Sequence, residues 1–186
     1  MAKQFLGIED EHRAFIEKQH IFFTGSAAPT GRVNVSPKGM DALRVLGPNK
    51  VAYLDVTGSG NETSAHVAAS PDHRLTIMFC AFEGLPMILR LYGRATIHRL
   101  GTPGYEALLP NFTAIMGARQ IVEMAVEMVQ TSCGYGVPFM AFREDRPNMV
   151  RWAENKGEEG LETYRRENNM TSIDGFPTGW AVEAAE

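Results

Sequence analysis

Apolar and polar residues alternate, or apolar residues run unbroken, in six segments of this chain: 21–28, 32–37, 51–56, 74–82, 87–98 and 120–130. Each reads as a β-strand. In 32–37 the alternation is strict, with Val33 and Val35 on one face and Arg32, Asn34 and Ser36 on the other. That polar face is either open to solvent or the wall of a pocket. Segment 120–130 has helix-compatible propensities, yet Val122, Met124, Val126 and Met128 alternate with Glu123, Ala125 and Glu127, and period two predicts a strand. Gly93, inside 87–98, predicts a bulge or a close backbone approach. Helical spacing places Ile8, His12, Phe15, Ile16 and Gln19 on one face of a helix over 8–20, with Glu9, Asp10 and Glu11 at its start. A helix opens at Asn61, a short one runs from Pro103 to about residue 109, and two polar helices, 148–156 and 158–168, meet at Gly157 with Trp152 and Tyr164 as anchors. The remainder, 170–186, reads as a low-order tail. Strands joined mostly by hairpin turns, with helices at the ends, predict a mainly β chain: a small antiparallel barrel flanked by α-helices. A dinucleotide-binding βαβ fold is disfavoured, because helices do not alternate with strands.

The chain has 186 residues, 44% of them hydrophobic, enough for one globular domain over 1–186 with an N-terminal helix and a C-terminal helical extension at about 147–169. A net charge of −4 argues against a nucleic-acid partner. No apolar run approaches membrane-spanning length and the N-terminus has no signal-like apolar core, so a cytoplasmic, membrane-free protein is expected. Cys80 and Cys133 are expected as free thiols. His12, His20, His66, His73 and His98 show no metal-ligand spacing, and no metal is expected.

Chemistry concentrates in 51–69, a strand (VAYLDV), a glycine turn (TGSG) and a helix start (NETSAH). Gly58 and Gly60 bracket Ser59 and let a ligand approach the main chain. Asn61 is a favoured N-cap, and the free N–H groups of a helix start attract anions. Ser59, Asn61 and Thr63 could add side-chain hydrogen bonds to a phosphate. An ordinary strand–turn–helix corner is the alternative, and it is favoured on this stretch alone. Glu62 opposes an anion here unless it faces away.

The order of RVNVSPKG, VAYLDVTGSGNETSAH, RLTIMFCAFEG, LRLYGRA, VQTSCGYGVP and RWAENKGEEGLETYRRENNMTSIDGFP resembles the pyridoxamine 5′-phosphate oxidase-related FMN-binding split-barrel family, from about Phe15 to Pro177. The resemblance implies a six-stranded antiparallel split β-barrel and a homodimer with FMN at the interface. It implies that Asn34, Val35, Ser36 and Lys38 lie along the flavin, with Val56, Thr57 and Ser59 on the next strand and turn. Asn61 and Thr63 would meet the phosphate, while Gln130, Ser132 and Cys133 belong to a segment that can reach the cofactor. A contribution from Trp152 of the partner subunit is a weaker implication. The chain departs from true oxidases of this type by having Asn61, Glu62 and Thr63 where those place Arg and Lys, and by lacking their basic, histidine-containing C-terminal motif. FMN binding is therefore a firmer expectation than vitamin B6 oxidation. The expected activity is an FMN-dependent oxidoreductase acting on a small-molecule substrate. The alternatives are a non-catalytic flavin sensor or carrier, or a deazaflavin-dependent reductase. No catalytic acid or base is assigned, because a flavin carries its own redox chemistry.

Overall fold

A computed structural model of the protein describes residues 2–180. Its centre is one antiparallel sheet with strand order β3-β2-β6-β7-β8-β5-β4. The strands are β1 (Lys3–Phe5), β2 (Phe22–Ser26), β3 (Asn34–Lys38), β4 (Leu43–Gly47), β5 (Lys50–Val56), β6 (Arg74–Cys80), β7 (Ile88–Arg99) and β8 (Ala118–Ser132), with β1 pairing on β8. The sheet curls without closing, as a split barrel does, and its open edges are β3 and β4. All six predicted strands form. The two additional ones had no readable pattern: β1 has three residues, and β4 is half-buried at every position.

Burial explains the strands. On β5, Val51 and Tyr53 face the main core while Ala52 and Leu54 face a second cluster with Tyr105 and Ile121, so the strand is covered on both sides. Each fully buried aliphatic side chain of this kind contributes about 1.5–3 kcal/mol. The β2–β3 hairpin forms with Phe22 opposite Lys38 and Ser26 opposite Asn34. Its valines point outward: Val33 is 72% and Val35 65% exposed, while Asn34, Ser36 and Lys38 are half-buried on the inner face. The pocket-wall reading of that polar stripe is the one observed.

Helix α1 (Asp10–Glu17) is shorter than predicted, because Gln19 turns back to bond the Ile16 and Phe15 carbonyls. Helix α2 (Glu62–Ala69) packs on β2 and β7, and α3 (Pro103–Leu108) packs on β7 and β8. Helix α4 (Asn148–Asn168) breaks at Gly157, whose φ of 64° and ψ of 176° suit only glycine. Trp152 and Tyr164 meet edge-on at 5.0 Å across the break, with the Lys156 ammonium over both rings. The expectation of a low-order tail is corrected through Trp180. Residues 169–180 form a strap with a bridge between Thr171 and Pro177 and a fully buried Thr178. Residues 181–186 lie outside the described ones. Among the described residues, no helix is long and apolar enough to cross a membrane.

The β7–β8 ladder shifts register at Tyr92/Gly93, the bulge expected there. A Cβ at Gly93 would overlap the Ala125 carbonyl. Gly93→Ala should cost about 3 kcal/mol, the upper range for overpacking, read as a fall in the urea midpoint. An unchanged midpoint would refute the close approach.

Candidate functional site

The polar inner face of β3, the end of β5 and the corner leading into α2 enclose a cavity of about 860 Å³ at the gap in the barrel. It is of a size that holds cofactors. Of the residues expected at a site, Asn34, Ser36, Lys38, Val56, Ser59, Asn61 and Thr63 all border it. Leu54, Ile115 and Val150 supply apolar wall.

The floor of the cavity is a charge network that the sequence reading missed. Asp55 is 3% exposed on β5. Its Oδ1 accepts from Lys38 Nζ at 2.7 Å, and its Oδ2 accepts from Arg119 Nε at 2.9 Å and Gln120 Nε2 at 3.0 Å. Burial alone pushes the Asp55 carboxyl up, but Arg119 and Lys38 more than offset this and hold it well below the usual carboxylate range. A second buried cation, Arg165 of α4, donates to Thr57 Oγ1 at 2.8 Å, and Thr57 in turn donates to the Gly117 carbonyl. Lys38 and Arg119 thus share one buried carboxylate, while Arg165 is held by neutral oxygens, those of Thr57 and the Ala118 carbonyl. Glu62 also borders the cavity, but its carboxylate is engaged elsewhere, accepting the Ile173 N–H at 3.0 Å and lying 3.9 Å from His66. At Asp55 itself two cations face one carboxylate, while Asp41, Glu62, Asp145 and Arg146 also border the cavity.

The same carboxylate orients two amides. Gln120 must turn its NH₂ to Asp55, and that NH₂ also donates to Asn61 Oδ1 at 2.9 Å. Asn61 therefore presents its carbonyl to Gln120, and its own NH₂ is left over, buried and without a partner among the described residues. This corrects the expected cap: Asn61 occupies the N-cap position of α2 but makes no side-chain cap bond. A buried donor beside a cationic floor and free helix-start N–H groups is the donor set of an anion site.

Other expected residues fall elsewhere. Thr57 is fully buried beneath the corner. Val35 is on the outer face of β3, because side chains alternate. Ser132 and Cys133 line a second, larger groove that meets the first at Pro37, Lys38, Gly39, Asp145 and Arg146. Gln130 accepts from Tyr92 at 3.4 Å. From Gln120 beneath the corner, β8 runs on to Ser132 over a contour of roughly 40 Å at about 3.3 Å per residue, which separates these positions from the corner.

The pyridoxamine 5′-phosphate oxidase family model matches residues 8–133. This chain belongs to that family. A relative, the pyridoxamine 5′-phosphate oxidase family protein ustO of Aspergillus flavus, is 36% identical over 91% of this chain and 75% of its own length. Among solved structures, a variant of HupZ from Group A Streptococcus superposes with a TM-score of 0.53 at 20% identity, covering 67% of this chain and 99% of that one. A pyridoxamine 5′-phosphate oxidase-type protein from Lactobacillus delbrueckii gives 0.52 at 16% identity, covering 67% and 94%. At such identities the structures establish the shared fold. The family match spans β3, the corner and all of β8, whereas the cavity wall at Val150, together with Arg165 and Asn169, lies beyond it.

Asp55→Asn leaves Arg119 buried without its carboxylate and should cost about 3–5 kcal/mol. The sign with pH follows from the depressed acid. Its contribution is present above the unfolded value near ~3.9 and is lost as pH falls from there toward the folded value. Urea unfolding at neutral pH and on the acid side of ~4 should show the wild type losing this contribution while Asp55→Asn lacks that acid limb. Parallel acid limbs in the two proteins would exclude Asp55 as its source.

Proposed function

We propose that this chain binds FMN in the cavity at the barrel gap and acts as an FMN-dependent oxidoreductase, passing a hydride between a reduced donor and a small organic substrate. The observation that carries the reading is the pair of cations, Lys38 and Arg119, on the one buried carboxylate beneath the glycine corner, with the Asn61 NH₂, unpartnered among the described residues, at its edge. A phosphate monoester supplies the missing acceptors and negative charge. The Asn61 NH₂, the Thr63 hydroxyl, the helix-start N–H groups and one of the two remaining Lys38 protons would hold it. Asn34 and Ser36 would follow the polyol chain along β3, and Leu54, Val56 and Ile115 would exclude water from the ring. When bound, the flavin itself supplies hydride chemistry. The chain's residues bind and orient it, and none is assigned a proton.

The same reading includes a homodimer. Tyr135 and Phe139 are each 84% exposed, and Leu85, Met140 and Phe142 are exposed near them. An apolar surface of this kind is characteristic of an interface. Gln130, Ser132 and Cys133, away from the corner of their own chain, would approach the cofactor of the partner subunit.

The visible absorption spectrum of the purified protein, with mass spectrometry of the heat-released chromophore, tests the cofactor. Flavin bands with an FMN mass are expected, whereas a deazaflavin mass or a colourless protein that ignores added FMN would refute the assignment. Bleaching by NADH or NADPH without air, then reoxidation by an acceptor, separates an enzyme from a carrier. Lys38→Ala should weaken FMN binding by about 1.5–3 kcal/mol, roughly tenfold to 150-fold. Unchanged retention would remove Lys38 from the phosphate.

A further inference from the structure

The strap at residues 169–180 closes over the underside of the corner, and its contacts converge on the groups assigned above to the anion. Asn169, fully buried at the end of α4, stands at the junction. Its Oδ1 accepts from Arg119 at 2.7 Å and its NH₂ donates to the Gly58 carbonyl at 3.0 Å. The rest of the strap fixes Asn169 in turn. The Thr178 hydroxyl donates to the Asn169 carbonyl at 2.8 Å, and the Thr178 carbonyl accepts from Ser64 of α2 and from Arg99, both at 2.8 Å. Further along, the Ile173 N–H is held by Glu62 in the first turn of α2. Asp174 takes both the backbone N–H and the guanidinium of Arg32, at the entry to β3.

The consequence lies in peptide geometry. A trans peptide points its C=O and its N–H in opposite directions. With the Gly58 carbonyl drawn back to Asn169, the Ser59 N–H turns to the other side of that peptide, away from the strap. Asn169 also settles which donors of Arg119 remain. The Nε faces Asp55, one terminal nitrogen faces Asn169, and the guanidinium borders the cavity.

We propose that Asn169, held by the strap, is a positioning residue of the anion site: it sets the Gly58–Ser59 peptide and the Arg119 guanidinium for the phosphate end of the cofactor. The inference rests on the FMN reading above and extends it to a segment outside the matched part of the family. Its signature is selectivity. Riboflavin shares the ring and polyol of FMN and lacks the phosphate, so a residue that positions the anion site affects one ligand and spares the other.

The test is fluorescence titration of the full-length protein, freed of flavin, with FMN and with riboflavin, for wild type, Asn169→Ala and Asn169→Asp. Asp keeps the size and the acceptor for Arg119 but loses the donor to Gly58. Both variants should lose about tenfold or more in FMN affinity with riboflavin affinity unchanged. FMN and riboflavin affinities that fall together, or an unchanged FMN affinity, would overturn the proposal while leaving the FMN reading intact. A wild type that binds neither ligand would overturn both. Should the variants fail to fold, amide hydrogen exchange on the wild type decides. FMN, and not riboflavin, should slow exchange across 169–180, and equal or absent protection would overturn the role.

Discussion

A carboxylate buried near the end of a core strand sets terms for everything around it. Asp55 is buried between apolar neighbours on β5, where an unpaired charge is prohibitive. It needs cations and donors, and Lys38, Arg119 and Gln120 arrive from two other strands to supply them. Once Gln120 is turned toward Asp55, Asn61 has only one orientation left, and its NH₂ is buried at the border of the cavity without a partner among the described residues. A requirement of folding thus propagates through two amides to the border of the cavity. Surface pairs of this chain, such as Arg94 with Glu127, have no such reach, since exposed pairs contribute about 0–1 kcal/mol and constrain nothing beyond themselves.

The fold brings these groups together through the gap in the sheet. An unclosed barrel leaves two edges, and β3 turns its polar side chains inward at one of them. A closed barrel would have paired that edge and filled the space with apolar residues. Here the opening is walled by β3, the end of β5 and the corner, and α4 and the strap approach from outside. The barrel supplies rigidity and the later segments supply charge.

What could be read in advance follows the range of each interaction. Strand alternation is local, and it located six strands and the Gly93 bulge. The glycine break in α4 is local too. The split-barrel family was recognisable from motif order, and seven of the expected site residues do share one cavity. The misses are non-local. Asp55 was visible as a charge inside VAYLDV, but Arg119 lies 64 positions away from it, and no pattern connects the two. Asn61 obeyed the capping rule in position and broke it in bonding, because a buried partner outcompeted its own helix. The strap looked like a tail because its anchors, Ser64, Arg99 and Glu62, lie far from it in sequence, and its own bridge and Ser172 and Thr178 hydrogen bonds follow no periodic pattern.

The departure at the helix start takes on a different meaning in this light. True oxidases of this type are expected to carry Arg and Lys where this chain has Asn61, Glu62 and Thr63, which alone suggests a weaker anion site. The positive charge has not gone; it enters from below, on Lys38 of β3, Arg119 of β8 and Arg165 of α4. Buried cations act through a lower dielectric and are screened less by salt than side chains in solvent. They also require more support, because each must be paired or hydrogen-bonded to be buried at all. Asp55, Thr57 and Asn169 provide that support. The proposed anion site, built this way, would give up the reach of flexible surface lysines for a fixed, water-poor geometry, and it would tie the C-terminal segment to the cavity.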